Sequence, residues 1–361
     1  LGSSQRTASG LMAVPNVMQG VYLTHHGGPE ALEWRADIPV PQPGPGQVLV
    51  RVAAAGVNNT DINTRVGWYS SDVTGATDAV DQEVDAGGWG GALYFPRIQG
   101  GDLCGIVEQA APGTGFTKGQ RVTCPINLPR PRPGNPTGFI ALGSEIDGAF
   151  AQYCLVEASD LYDVSASPLS DVEIAAVPCA FGTAENLLTR AGVTAGHKVL
   201  ITGASGGVGL AAVQLARLRG ATVWGVTSPA KAEVVRDQGA IDTFDRGAPL
   251  PKDMFDVVID VVGGPAWPDL ILSLKPGGQY AVSGAIAGPI VQADLRDIYL
   301  RDIAIHGCTH QAFEVFGRLV ELMNAGRVKP LISKTYPLRD IAKAQADFQS
   351  KAFAGKLVLI P

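Results

Sequence analysis

Residues 198–221, KVLITGASGGVGLAAVQLARLRGA, constrain the fold of this chain more than any other stretch. A short apolar run of strand character enters a turn holding Gly203, Gly206, Gly207 and Gly209, and an amphipathic helical pattern follows. Glycine lets a backbone turn tightly and approach a ligand without a Cβ in the way. The free N–H groups and positive end of a helix starting near Gly207 suit a pyrophosphate. A lone glycine trio is a weak signal. The strand before it, the helix after it and a second strand at TVWGVT supply the context of a dinucleotide-binding unit. Gly203, Ser205, Gly206, Gly207, Val208 and Gly209 are therefore candidate cofactor residues.

The second strand also bears on which dinucleotide. A chain that prefers NAD places an acid at the end of that strand to hold the ribose 2′-hydroxyl. Here it ends Val226, Thr227, Ser228, Pro229, Ala230, Lys231. With no carboxylate to repel a 2′-phosphate, and with Thr227, Ser228 and Lys231 able to bind one, the expectation is NADPH.

Alternation continues on both sides of this unit. Strands are expected at DTFD, DVVIDVV, GQYAVSG and IAIHG, with helices over roughly 207–219, 230–238 and 267–274. Strands this apolar, separated by helical patterns, make a parallel sheet covered on both faces. From Gln19 to about Val156 the pattern differs: short apolar strands between glycine and proline read as an all-β, barrel-like half. Two interruptions, 70–95 and 125–148, exceed the usual length of a structureless loop, which points to function. After a helix at FEVFGRLVELMNAG the text returns to strand character at KTYPL and GKLVLIP, expected to rejoin the first half. A length of 361 residues suits two domains with a cleft between them.

Composition narrows the partners. Hydrophobic residues at 46% against 17% charged fit a well-buried α/β protein. A net charge of -6 argues against a nucleic-acid backbone, which needs a basic surface. No run is long and apolar enough to span a membrane, and the opening LGSSQRTASG lacks a signal-peptide core, so a cytoplasmic protein is expected, with residues 1–18 a tail outside the fold. Cys104, Cys124, Cys154, Cys179 and Cys308 are odd in number, far apart and without a C-x-x-C pair, which fits buried apolar residues rather than disulfides or a cysteine-rich zinc lobe.

The order of a β-rich half, GASGGVG, DVVGG, PGGQYAVSG and a closing GKLVL resembles the medium-chain dehydrogenase/reductase superfamily over nearly all of Gln19 to Pro361. GVNNTDINTRVGWYS, residues 56–70, together with GASGGVG looks like its zinc-independent quinone oxidoreductase and enoyl reductase branch. The resemblance implies a GroES-like β-barrel substrate domain over 19–168, completed by 307–361, and a Rossmann doubly wound domain over 169–306. It also implies an active site in the cleft and a homodimer through the last Rossmann strand, near YLRDIAIHG. In the zinc-dependent members the catalytic metal takes a cysteine, the histidine of a G-H-E motif and a second cysteine. The matching positions here are Asn58, then Gly100, Gly101 and Asp102, and only Cys179 is kept. Zinc needs three protein ligands and an open position, so no metal is expected there. The region 124–148 holds one cysteine, many prolines, Arg130 and Arg132, so no structural zinc is expected either.

The same resemblance assigns roles. Thr183 in FGTAEN matches a threonine near the nicotinamide ribose, and Gly263, Gly284, Ala285 and Ile286 lie at strand ends expected to line the cofactor. Asn58 can present its amide to a substrate carbonyl or to the nicotinamide, and Asp61 organises the loop by accepting backbone N–H groups. Asn59, Thr60 and Asn63 read as turn and cap residues. Tyr69, in VGWY, matches the tyrosine of a Q-G-x-Y-like segment and is the candidate proton donor.

The expected chemistry is NADPH-dependent reduction of an activated C=C bond or a quinone without zinc. Hydrogen-bond donors hold the enolate charge, each worth ~2.7 to 4 kcal/mol in oxyanion sites. The insertion after Tyr69 carries Asp72, Asp78, Asp81, Glu83 and Asp85 and no basic residue, and reads as a lid with Trp89, Tyr94 and Phe95 as apolar contacts. Its acidity disfavours a polyanionic coenzyme A thioester and leaves small neutral enones, enals or quinones. Two alternatives are a zinc-type alcohol dehydrogenase, which metal content tests, and a non-catalytic NADPH-binding protein of the crystallin kind, which turnover tests.

Overall fold

The computed structural model of the chain describes residues 13–77 and 87–361. Six strands form one sheet in the spatial order Asp242–Phe244, Thr222–Val226, Lys198–Ile201, Phe255–Asp260, Leu274–Val282 and Ala304–Gly307. Every pairing in it is parallel. Alternate residues of a strand face opposite sides, and both sides are covered. Val199, Ile201, Val257 and Ile259 pack with Leu210, Val213 and the helix Pro178–Arg190. Leu200, Val258 and Tyr280 pack on the other face with Trp267, Leu270 and Ile271. Two covered faces explain why these strands read as continuous apolar runs. Strand order reverses between Lys198–Ile201 and Phe255–Asp260, and a doubly wound sheet opens its ligand crevice at such a reversal.

The other large sheet runs Ile332–Pro337, Lys356–Ile360, Gln47–Gly56, Asp102–Ala110, Arg121–Thr123 and Tyr162–Asp163, with Tyr153–Glu157 also pairing along Gln47–Gly56. The closing strand thus enters the β-rich half, where Val358 pairs with Gly56 and Leu359 with Ala55. Its apolar side chains join a core of Val48, Val50, Leu103, Val107 and Phe150.

Three details differ from the sequence reading. The first strand is Val17–Leu23, so Val17 and Met18 belong to the fold rather than to the tail; Met18 is buried and pairs with Ile38. The long interruption 125–148 contains a hairpin, Asn127–Pro129 with Phe139–Ala141. The polar stretch after Gly56 is not a turn but a helix, Asn59–Val66, whose buried Ile62 supplied too little apolar periodicity to be read as one. At the edge of the parallel sheet, Leu295, Tyr299, Leu300 and Ile305 stand exposed. Among the described residues no helix is long and apolar enough to cross a membrane.

Candidate active site

The strand Gln47–Gly56 delivers the chain to Asn58, the residue that caps the helix Asn59–Val66. Extended backbone at the cap leaves the first helical N–H groups unpaired, and acidic residues in the first turn suit them. Asp61 answers by accepting the Asn58 N–H at 2.9 Å, and Gln99 Nε2 donates to the Asp61 carbonyl at 2.9 Å. Asn59 Nδ2 reaches Asn63 Oδ1 at 3.3 Å. Gly67, at φ 77°, ends the helix in the left-handed conformation and turns the chain so that Trp68 and Tyr69 meet edge to face.

The capping residue has a second set of partners. Lys356, the first residue of the closing strand, lies buried with its ammonium on three acceptors. It donates to Val57 O at 3.0 Å and to Asn58 Oδ1, and pairs with Asp102 Oδ2 at 3.0 Å. The other oxygen of Asp102 accepts the Cys179 N–H at 2.7 Å. Asn58 Nδ2 is buried and has no partner within the protein. A buried amide donor left unpaired is costly, which makes Asn58 Nδ2 a candidate donor to a ligand.

Burial, with the Asp102 charge nearby, pushes the Asp61 carboxyl up to about 7, against the lowering effect of the Asn58 N–H. Burial also lifts the Tyr69 phenol above its ordinary range, while the Asn63 side chain pulls it down; Cys179, Asp61 and Glu145 add to the rise. Burial pushes the Cys179 thiol up to about 12, which keeps it a thiol rather than a thiolate.

The donor set does not fit a catalytic zinc. A Cβ on Gly101 would stand 2.0 Å from Ile126 Cδ1, so a histidine at that position would have to displace Ile126. Among the described residues no three His, Cys, Asp or Glu side chains gather as metal ligands.

Candidate cofactor residues lie at the reversal of the parallel sheet. Gly206 caps the helix Gly207–Leu218, and Gly203 holds φ 55°. A Cβ on Gly209 would stand 2.1 Å from the Gly203 carbonyl, so the loop closes only with glycine there. Ser205 is buried and Val208 half-buried beside them. Gly263, at φ 62°, follows Asp260, whose buried carboxylate accepts from Thr202 Oγ1 at 2.6 Å and Tyr280 OH at 2.5 Å and so ties the strand ends together. Gly284, Ala285 and Ile286 follow the neighbouring strand, and the Ala287 N–H returns to the Val262 carbonyl. Thr183 lies buried in the helix Pro178–Arg190. Thr227 presents a buried hydroxyl with no protein partner, and Ser228 follows it. Lys231 is a correction in part: its ammonium donates to the Lys351 carbonyl, which uses one of the three N–H groups expected to meet a phosphate. Burial and the neighbouring positive charge of Arg246 lower its pKa. Free helix N–H groups, the glycine cradle and the orphaned Thr227 hydroxyl fit a dinucleotide.

The insertion divides. Trp89 packs edge to face on Phe139, and the Gly90 and Gly91 N–H groups donate to Glu145 Oε1 at 2.7 and 3.1 Å, so the two long interruptions dock on each other. Phe95 meets His26 edge to face. Tyr94 is 70% exposed. Asp72 is exposed, and Asp78, Asp81, Glu83 and Asp85 lie outside the described residues.

Sequence reading missed Lys356 and the pairing role of Asp102. The available signal was a lysine opening an apolar strand in GKLVLIP, where a buried charge needs a buried partner.

Comparison with known proteins follows the same lines. Residues 44–166 match the family model described as alcohol dehydrogenase GroES-like domain, and residues 232–359 the one described as zinc-binding dehydrogenase. The chain is 29% identical to a quinone oxidoreductase of Lama guanicoe, over 95% of this chain and 98% of that one. It is 30% identical to an acryloyl-coenzyme A reductase of Metallosphaera sedula, over 88% of this chain and 93% of the other. A crystal structure of a putative alcohol dehydrogenase from Sinorhizobium meliloti superposes with a TM-score of 0.85 at 39% identity, covering 96% of this chain and 98% of that one.

Proposed function

We infer the activity from family and site together: this chain belongs to the medium-chain dehydrogenase/reductase superfamily, in its quinone oxidoreductase and enoyl reductase-like branch. It is an oxidoreductase of that type, and we propose that it uses NADPH to reduce an activated C=C bond or a quinone without zinc. The observation that carries this reading is the unpaired, buried Nδ2 of Asn58. NADPH, when bound, supplies the hydride; Gly203 to Gly209 would hold its pyrophosphate and Thr227 with Ser228 its 2′-phosphate.

Without a metal, charge gathering on the acceptor's carbonyl oxygen needs a fixed donor. Asn58 Nδ2 offers one, and a preorganised donor acts without reorganising solvent. Hydride bonding at the β-carbon would push the electron pair of the C=C bond toward that oxygen, and the α-carbon of the resulting enolate would take a proton from the Tyr69 hydroxyl. The raised phenol pKa keeps Tyr69 protonated at neutral pH, and solvent restores its proton after turnover. Asp61 holds the Asn58 backbone in place through the cap.

Small neutral enones and quinones remain the favoured acceptors. Asp61, Asp102 and Glu145 stand near the site, and Asp72 follows it, which disfavours a polyanion. A second reading, an enoyl thioester, has its support in the 30% identity to an acryloyl-coenzyme A reductase. One screen of NADPH oxidation over methyl vinyl ketone, a naphthoquinone and crotonyl-CoA separates the two. Faster turnover of the neutral acceptors is expected, and a clear preference for crotonyl-CoA would overturn the first reading. In the same screen Tyr69→Phe should lose ~10²-fold or more in alkene reduction. Retained rate would remove Tyr69 as the proton source. Apolar Leu295, Tyr299, Leu300 and Ile305 at the open sheet edge support the homodimer, and a monomer in sedimentation at micromolar concentration would refute it.

A further inference from the structure

Gly355 and Lys356, at the entry to the closing strand, touch both parts of the proposed site. Gly355 donates its N–H to the Ser205 carbonyl in the phosphate loop at 3.1 Å. The stem of Lys356 passes over Gly207, where a Cβ would stand 2.9 Å from its Cδ. The ammonium then ends on Val57 O, Asn58 Oδ1 and Asp102 Oδ2. An ammonium has three N–H groups, and these acceptors occupy all of them.

None is left for a substrate, so Lys356 is not itself an oxyanion ligand. What it fixes is the carboxamide. An ammonium can only donate, so it must face the Asn58 oxygen, which leaves Nδ2 on the far side of the amide, buried and unpaired. Flipped, the same amide would present its oxygen to the acceptor and repel the developing charge. We propose that Lys356 is a positioning residue: it locks Asn58 in the orientation that donates to the acceptor, and through Gly355 and its own stem it couples that donor to the phosphate loop. The proposal rests on the reading of Asn58 as the donor to the acceptor oxygen.

Lys356→Met keeps the stem and removes the donors, but it strands Asp102 as a buried unpaired charge. Lys356→Met/Asp102→Asn is therefore made beside it, since the asparagine oxygen can still take the Cys179 N–H. Enone reduction by this variant, by Lys356→Arg and by each in an Asn58→Ala background forms a double-mutant cycle. The charge-neutral variant should lose ~10- to 100-fold in kcat/KM, mostly in kcat, and nothing further once Asn58 is alanine. Lys356→Arg should recover part of the loss. Losses that multiply in the Asn58→Ala background would overturn the positioning role. A second readout needs no turnover: in protein labelled with ¹⁵N-asparagine, the Asn58 side-chain amide, assigned with Asn58→Ala, should shift and exchange faster in the charge-neutral variant and less so in Lys356→Arg. An unchanged amide signal would also overturn the proposal. If the native protein reduced no acceptor at all, the functional reading would fall, and the amide spectra alone would decide whether Lys356 holds Asn58.

Discussion

The two ends of the proposed site are built differently. The phosphate end is local: Gly203 to Gly209 are neighbours in sequence, and the loop closes because a Cβ at Gly209 has no space beside the Gly203 carbonyl. The acceptor end is assembled from afar, with Asn58 and Asp61 from one segment, Asp102 and Cys179 from two others, and Lys356 from the closing strand. The first arrangement resists change at single backbone positions. The second depends on a network whose members lose their function together.

The contrast can be tested from the acceptor side first. Asn58→Ala removes the unpaired donor and should lower kcat/KM for an enone by ~10²- to 10³-fold while cofactor affinity holds. A comparable loss of NADPH binding, measured by fluorescence titration, would mean that the two ends are not separable. At the ribose end, Thr227→Asp places a carboxylate where a 2′-phosphate is expected and should shift the NADPH-to-NADH preference by about tenfold, or ~1.4 kcal/mol, with the acceptor rate retained. An unchanged ratio of dissociation constants would remove the NADPH assignment.

The smallest effect expected is one of pH. The Asp61 carboxyl titrates at about 7 in the fold, against ~3.9 in an unfolded chain. Between those values the native state keeps a proton that the unfolded chain has released, so stability falls as pH rises through that window and levels off above about 7. Asp61→Asn keeps an acceptor for the Asn58 N–H and removes the titration. Its melting temperature relative to the native protein should therefore climb by a few degrees from pH 5 to pH 8. Parallel melting curves across that range would show that Asp61 titrates elsewhere.

The same contrast explains what the sequence made legible. Alternating strand and helix text gave the parallel sheet, because burial on both faces leaves a continuous apolar run that cannot be mistaken for alternation. The glycine loop was legible because its requirement is steric and falls on adjacent positions. Asn58, Asp61 and Tyr69 were visible only as a polar cluster, and their helix was hidden because Asn59–Val66 holds Ile62 and little else to mark a face. A lysine opening the apolar GKLVLIP marks a buried charge, but its neighbours do not name the partner. Its partners lie far along the chain, and no local pattern encodes a contact between residues 298 positions apart. The second partner of Lys231 was hidden for the same reason: the Lys351 carbonyl that accepts one of its N–H groups belongs to a distant segment.

That span has a consequence for how the molecule comes into being. A ribosome delivers Asn58 long before Lys356, and the strand carrying the lysine can pair only with a strand already made. Through most of synthesis the amide is free to turn either way and Asp102 lacks its counter-charge. The proposed acceptor end is thus complete only once that long-range pairing has formed, whereas the glycine loop takes its shape from neighbouring residues.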